Sequence, residues 1–182
     1  MYHTLLLESK IMNKFQNIFT VIGFKIIWIS CIFGEIYVNS WCGLVVGVFF
    51  LIFFFYLENQ RLKSFYIISC FSLLGYLFDS ILSFLNYYTI NSDINFLFLP
   101  IWFLVLWPSF SCLLVNVLSF LRSRRLLAIL FGSILGPFSY YIGVTSGLAN
   151  IASANIFILI SSYWAFIFFL YSSKNVNFLK KI

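Results

Sequence analysis

Two charged residues, Lys25 and Asp79, lie inside long apolar runs and are the side chains best suited to chemistry in this sequence. Lys25 falls in the run 15–34 and Asp79 in the run 64–85. On insertion scales a lysine or aspartate at the centre of a membrane-spanning helix costs about 2.5–3.5 kcal/mol, so such residues face protein or water and find partners. We therefore predict an interior polar site around these two charges.

The leading interpretation is that the two charges neutralise each other. Counted from the basic ends of their runs, they differ in depth by about 7 Å at 1.5 Å per residue, and a lysine side chain spans most of that distance. Two alternatives stay open. In the first, Lys25 extends toward water and Asp79 is protonated or hydrogen-bonded; in the second, either one titrates in a hydrated cavity. The hydrogen-bond partners considered for Asp79 are Asn116, Tyr140 and a backbone group freed by Pro137.

One stripe of the run 64–85 is predicted to face protein. On a 3.6-residue period, Ser83 lies on the same side as Asp79, while the remainder of that helix is mainly Phe, Leu and Ile. Lipid cannot satisfy polar side chains, so the stripe must turn inward. The candidate interior polar site consists of Asp79, Lys25, Ser83, Asn116 and Tyr140.

Small residues and prolines indicate where helices pack and bend. Gly132, Gly136 and Gly143 share one face of the run 126–145 and are predicted to form a groove for another helix. Pro137 interrupts the same helix. Pro108 lies in the interior of the run 96–119, where the missing N–H is expected to produce a kink.

Familiar catalytic and metal-binding patterns are missing from the sequence. The only histidine is His3, and no predicted helix carries two carboxylates three or four residues apart, so no metal and no cofactor are expected. No glycine-rich loop joins a strand to a helix, which argues against nucleotide binding. A serine activated by Lys25 stays open as a geometrical alternative. This inventory favours a non-enzymatic role.

The composition indicates an integral membrane protein. Of 182 residues, 63% are hydrophobic and 9% are charged, with a mean hydropathy of +1.03, whereas soluble domains have about 25% charged residues. We predict an all-α fold, an integral membrane bundle of six transmembrane helices in a single domain over 1–182. The spans are predicted at about 15–34, 41–57, 64–85, 96–119, 126–145 and 153–171, with cytoplasmic tails at 1–14 and 172–182.

Basic residues set the predicted orientation. Ten of the eleven Lys and Arg residues lie in the two tails and in the second and fourth loops, and the eleventh is Lys25. Positively charged loops stay in the cytoplasm, so both termini are predicted to be cytoplasmic, N-in/C-in. Arg122, Arg124 and Arg125 are expected to contact anionic lipid head groups. The net charge of +6 thus reflects topology, and no nucleic acid is expected as a partner.

Several short motifs are spread over nearly the whole chain. They are Asn17, Trp28, Gly75-x-x-x-Asp79-Ser80, Pro100-x-Trp102, Leu106-Trp107, Phe110, Asn116, Gly136-Pro137, Tyr140 and Gly143. Their order and spacing resemble a family of small bacterial inner-membrane proteins known only as a domain of unknown function. The resemblance implies a compact six-helix, multi-pass unit in the bacterial cytoplasmic membrane, and it implies no activity.

Two functional classes follow from the sequence. The first is a non-enzymatic membrane component, either a small transporter or an accessory subunit of a lipid or envelope system. The alternative is an intramembrane enzyme acting on lipid, in which Asp79 or a nearby hydroxyl would be indispensable. A partner membrane protein and a second copy of the chain both stay open.

Overall fold

The computed structural model describes the backbone of residues 2–173 and the side chains of residues 12–173. The predicted basic tail from residue 174 onward lies outside the described residues, as do the side chains of the first eleven residues. The helices are α1 (Tyr2–Tyr37), α2 (Trp41–Leu57), α3 (Arg61–Phe84), α4 (Phe103–Val115), a 3-10 helix (Val117–Ser123), α5 (Arg125–Thr145) and α6 (Ile156–Ser172). The strands are β1 (Tyr88–Ile90), β2 (Asn95–Phe96), β3 (Leu99–Pro100) and β4 (Ala149–Ile151).

Three of the described helical segments are long and apolar enough to cross a membrane: Met12–Tyr37, Arg61–Phe84 and Arg125–Thr145. The segments Phe103–Val115 and Val117–Ser123 pass the same test as a pair that is bent by 61°. The two remaining apolar helices, α2 and α6, have 17 residues each. The mostly helical fold confirms the predicted all-α class, and its long apolar helices are compatible with a membrane protein.

The predicted fourth span, 96–119, differs most from the structure. Its first residues form the hairpin of β2 and β3, with Leu97 in the turn at φ 55°. Pro100 has no N–H and disfavours helical geometry in the residue before it, so α4 begins only at Phe103. The hairpin lies against α3 because Tyr76 and Ser83 donate hydrogen bonds of 2.8 and 2.7 Å to its backbone carbonyls.

The helix ends gather into two opposite groups. At the first, which we call the strand end, β1 pairs with β4 antiparallel, and Ser40 in the α1–α2 turn lies 3.2 Å from Ser92. At the second, which we call the basic end, Gln16 donates to Glu58 in the α2–α3 turn over 3.1 Å. Arg122 reaches the end of α6 at the same side of the molecule, where Tyr171 accepts its Nε–H at 3.0 Å.

The central element of the packing is α4. It contacts α3, α2 and α1, whereas α5 packs chiefly against α6. The helices α1 and α3, which were expected to be direct neighbours, each contact α4, and neither makes its main contacts with the other. Close approach of α2 to α4 depends on Gly47, because a Cβ at that position would overlap the side chain of Val105.

Candidate functional site

A buried carboxylate joins three helices near the strand end. Asp79 of α3 is 3% exposed. Its Oδ2 accepts the indole N–H of Trp107 on α4 at 2.7 Å, and its Oδ1 accepts the hydroxyl of Tyr140 on α5 at 2.5 Å. Each carboxylate oxygen thus has a buried donor, which is the requirement for keeping such a group in the protein interior.

Local packing holds both donors in place. Gly75 precedes Asp79 by one helical turn, and a Cβ on it would overlap the indole of Trp107, so only glycine lets the ring lie against α3. On its other side that indole stacks on Trp164 of α6, with ring centroids 5.2 Å apart. The donor to Asp79 is therefore held between two helices.

The phenol of Tyr140 is held by a second ring. Tyr88 of β1 packs edge-on against it, with centroids 5.0 Å apart, and a Cβ on Gly143 would lie 2.5 Å from the Tyr88 hydroxyl. Burial raises the pKa of Tyr88, and the nearby carboxylate of Asp79 raises it further, so this phenol stays neutral. The strand end thus covers the group of Asp79, Trp107 and Tyr140, which we call the Asp79 cluster.

The expected ion pair between Lys25 and Asp79 is not formed. No hydrogen bond or salt bridge joins these two described side chains, and Asp79 is satisfied by Trp107 and Tyr140 instead. The physical reason is that α4 and α5, which pack beside Asp79, each supply a donor to one of its oxygens. Of the alternatives considered, hydrogen bonding to Tyr140 is the one that the structure contains.

Two other predicted site residues do not join Asp79. Ser83 donates to the Phe98 carbonyl of the β2–β3 hairpin at 2.7 Å. Asn116 lies where α4 ends and the 3-10 helix begins, nine residues beyond Trp107, and its Nδ2 is buried without a hydrogen-bond partner among the described residues. The interior site therefore contains Asp79 and Tyr140 but neither Ser83 nor Asn116.

The glycine groove of α5 holds α6, as its spacing predicts. A Cβ on Gly132 would lie 2.6 Å from Phe168 Cδ2 and from the Trp164 carbonyl oxygen, and one on Gly136 would overlap the Trp164 indole. Gly143 faces Tyr88 rather than α6. The groove and the Asp79 cluster are thus connected through the stacked indoles.

Pro108 and Pro137 both lie inside helices, as predicted: Pro108 in α4 and Pro137 in α5. Pro137 cannot donate to the carbonyl of Ser133, four residues earlier. That carbonyl accepts the hydroxyl of Ser161 on α6 at 2.8 Å, and it does not reach Asp79 as one alternative supposed. In α4, Pro108 lies one residue after Trp107, and the sharp 61° bend comes later, after Val115.

A cavity of about 700 Å³ lies beside the Asp79 cluster. It is bordered by α1, α4, the 3-10 helix, α5 and α6, and its walls are almost entirely aromatic and aliphatic. Lys25 and Asp79 are its charged lining residues among the described side chains. Lys25 is exposed, whereas Asp79 is buried. The two residues singled out in the sequence thus border one cavity without touching each other.

The cavity has an opening between α1 and α5. Lys25 and Ile29 of α1, and Leu135 and Phe138 of α5, line the cavity and are also exposed on the molecular surface. Apart from Lys25 this rim is apolar.

Two further carboxylates were overlooked because they lie close to predicted loops. Near the strand end, Glu35 accepts the Trp102 indole N–H and the Ser40 hydroxyl, both at 2.8 Å. At the basic end, Glu58 is 9% exposed and accepts from Gln16. The tryptophans of the Pro100-x-Trp102 and Leu106-Trp107 motifs each donate an indole N–H to a carboxylate.

The three arginines of the basic cluster separate in the structure. Arg122 is half-buried and donates to the carbonyls of Leu114 and Val115 at 3.3 and 3.4 Å, which the bend after α4 leaves without helical partners. Arg124 and Arg125 are exposed. Arg122 therefore closes the end of α4, and the other two remain on the surface.

Within the described part of the chain, no three His, Cys, Asp or Glu side chains lie close enough to hold a metal ion. The arrangement instead combines a satisfied buried carboxylate with an apolar cavity. Such an arrangement can hold an apolar molecule beside one charged amine.

The fold and cavity define the class as a helical protein compatible with the membrane, built on long apolar helices. A family model described as "Protein of unknown function (DUF2878)" matches residues 17–170. The chain belongs to this family, which confirms the resemblance to a domain of unknown function. None of the curated proteins or solved structures gives a significant match.

Proposed function

We propose that this chain is a multi-pass protein of the bacterial inner membrane that holds a lipid-like molecule in its cavity. In this role it is a non-enzymatic component, either a small transporter or an accessory subunit of a lipid or envelope system. The observation that carries the proposal is the apolar cavity of about 700 Å³, which falls within the volume range of small-molecule sites.

Six spans are the arrangement that uses every apolar helix. Three segments are long enough alone, and α4 with the 3-10 helix forms one broken span. With 17 residues each, α2 and α6 are at the lower limit of helices that cross the hydrocarbon layer. Six crossings leave both termini on the basic end, which the positive-inside rule assigns to the cytoplasm.

The side opening favours a ligand that is already dissolved in the bilayer. Its rim residues Ile29, Leu135 and Phe138 are apolar and exposed, so in a membrane they face acyl chains. A lipid can enter between α1 and α5 without crossing water, whereas a hydrophilic solute would have to cross apolar walls. The geometry supports lipid binding over passage of a polar solute.

An intramembrane enzyme acting on lipid is the second candidate, favoured by the presence of Asp79 in the cavity wall. Both oxygens of this carboxylate already accept hydrogen bonds, which suits a structural anchor better than a general base. Activity on lipid would require Asp79→Asn to abolish turnover while protein levels stay normal. A binding component would instead be most sensitive to Gly136→Leu, because the leucine side chain would overlap the Trp164 indole.

Lipid extraction of the purified protein tests the proposal. We expect a defined molecule to be enriched over bulk membrane lipid, and Leu135→Trp to displace it by filling the opening. Ile134→Trp is the matched control, since Ile134 is an exposed neighbour that does not line the cavity. Absence of any enriched molecule, or equal lipid content in both variants, would contradict lipid binding in this cavity.

A further inference from the structure

The charge of Lys25 is not paired with any of the described side chains. Lys25 lines the cavity and is exposed. Within residues 12–173 it makes no hydrogen bond or salt bridge, although it lies in a helix that is otherwise apolar at this level. A lysine amine in such a setting is costly unless something pairs with it.

In the proposed six-span arrangement, bulk solvent is too distant to serve as that partner. Lys25 lies 12 residues before Tyr37 and 13 residues after Met12, the two ends of the candidate span. At 1.5 Å per residue these separations are about 18 and 20 Å, which exceeds the reach of a lysine side chain. Extension toward the membrane surface, which satisfies lysines near helix ends, is therefore unavailable at this position.

The carboxylates of the described side chains are also engaged elsewhere. Asp79 accepts from Trp107 and Tyr140. Glu35 and Glu58 have donors of their own near the two ends of the bundle, and Asp93 is in an exposed turn. Among the described side chains, one amine thus lies in the cavity wall and no carboxylate forms a salt bridge with it.

We infer that Lys25 binds the anionic head group of an amphiphile whose hydrocarbon chain fills the cavity. The inference rests on the proposed lipid-binding function and names the class of ligand. Charge complementarity accounts for the amine, and the aromatic walls formed by Trp28, Phe110 and Phe131 accept the chain. A carboxylate and a phosphate share the required chemistry, since each accepts charge-assisted hydrogen bonds from an ammonium group.

Photo-crosslinking with matched probes tests this assignment. The probes are diazirine-labelled palmitate, lysophosphatidate and palmitate methyl ester, added to the purified full-length protein and mapped by peptide mass spectrometry. We expect one or both anionic probes to label peptides of α1, α4 and α5 with an affinity at least about tenfold above that of the neutral ester, the scale of a charge-assisted hydrogen bond. The favoured anionic probe separates a carboxylate source from a phosphate source.

Variants of Lys25 locate the effect. Lys25→Met should reduce binding of the anionic probe to the level of the ester, and Lys25→Arg should retain it. Lys14→Met is the matched control, because Lys14 is exposed on the same helix and does not line the cavity. It should bind as the wild type does.

The possible failures are distinguishable. Equal labelling by the ester and the anionic probes, or no loss in Lys25→Met, would overturn the assignment of an anionic ligand while leaving a lipid in the cavity. Labelling of none of the cavity peptides by any probe would overturn both the assignment and the proposed function.

Discussion

Trp107 donates its indole N–H to Asp79 across 2.7 Å while the same ring lies against the backbone of Gly75. One side chain of α4 therefore satisfies a buried carboxylate and also fills the contact between two helices. This double role connects the chemistry of the interior to the packing of α3 and α4.

Trp107→Phe removes the hydrogen bond together with part of a buried, closely packed ring. Loss of the donor leaves one oxygen of Asp79 buried without its partner, so we expect the free energy of unfolding in detergent micelles to fall by about 1–3 kcal/mol. The control is Trp41→Phe at an exposed position of α2. Equal losses in the two variants would show that the bond to Asp79 contributes nothing specific.

The link between Pro137 and Ser161 predicts a non-additive pair of substitutions. Ser161→Ala removes the donor to the Ser133 carbonyl, which Pro137 has freed, and should destabilise by about 1 kcal/mol. In a Pro137→Ala background the N–H of residue 137 can bond that carbonyl again, so the same change should have little effect. Additive losses in the double-mutant cycle would contradict this account.

The three arginines of the basic cluster, Arg122, Arg124 and Arg125, should have different roles. We expect Arg122→Gln to lower thermal stability, at a cost of about 1–3 kcal/mol, because two carbonyls of α4 and the Tyr171 hydroxyl lose a charged donor. Arg124→Gln at the exposed neighbouring position should stay within about 0.5 kcal/mol.

The same arginine variants should rank in the opposite order when the amount of anionic lipid that remains bound after purification is measured. The double variant Arg124→Gln/Arg125→Gln should retain less cardiolipin and phosphatidylglycerol than the wild type, because its surface loses two exposed charges. Arg122→Gln should retain the wild-type amount. Equal lipid loss in the two proteins would contradict a structural role for Arg122.

Orientation is testable by labelling single cysteines. In a background without the four native cysteines, Asp93→Cys near the strand end should react with a membrane-impermeant maleimide from the periplasm. Arg124→Cys at the basic end should react only after the inner membrane is permeabilised. The reverse pattern would invert the proposed topology, and labelling of both positions from one side would contradict the single span that is proposed between them.

The physical cost of a buried charge predicted that Asp79 faces protein, and it is 3% exposed. Glycine spacing in α5 likewise predicted a close helix contact, which α6 occupies. Both features arise from a local pattern with a helical period, so a single segment of sequence contains the necessary information.

Partners across the bundle were not predictable in the same way. The donors to Asp79 come from α4 and α5, which are distant from it in sequence, and the β2–β3 hairpin occupies the start of the predicted fourth span. Strands of two or three residues give no periodic signal. The expected pairing of Lys25 with Asp79 was wrong because it depended on which helices are neighbours, and the pattern within one segment does not contain that information.

The pairing of Tyr88–Ile90 with Ala149–Ile151 has a consequence for how the chain is made. The first strand leaves the ribosome some sixty residues before its partner, so the strand end cannot close until α5 has been synthesised and inserted. Until then the ring of Tyr88, which covers Tyr140 in the finished protein, has nothing to cover. Pairing of these two strands is therefore a late event in biogenesis, because it joins segments on either side of α4 and α5.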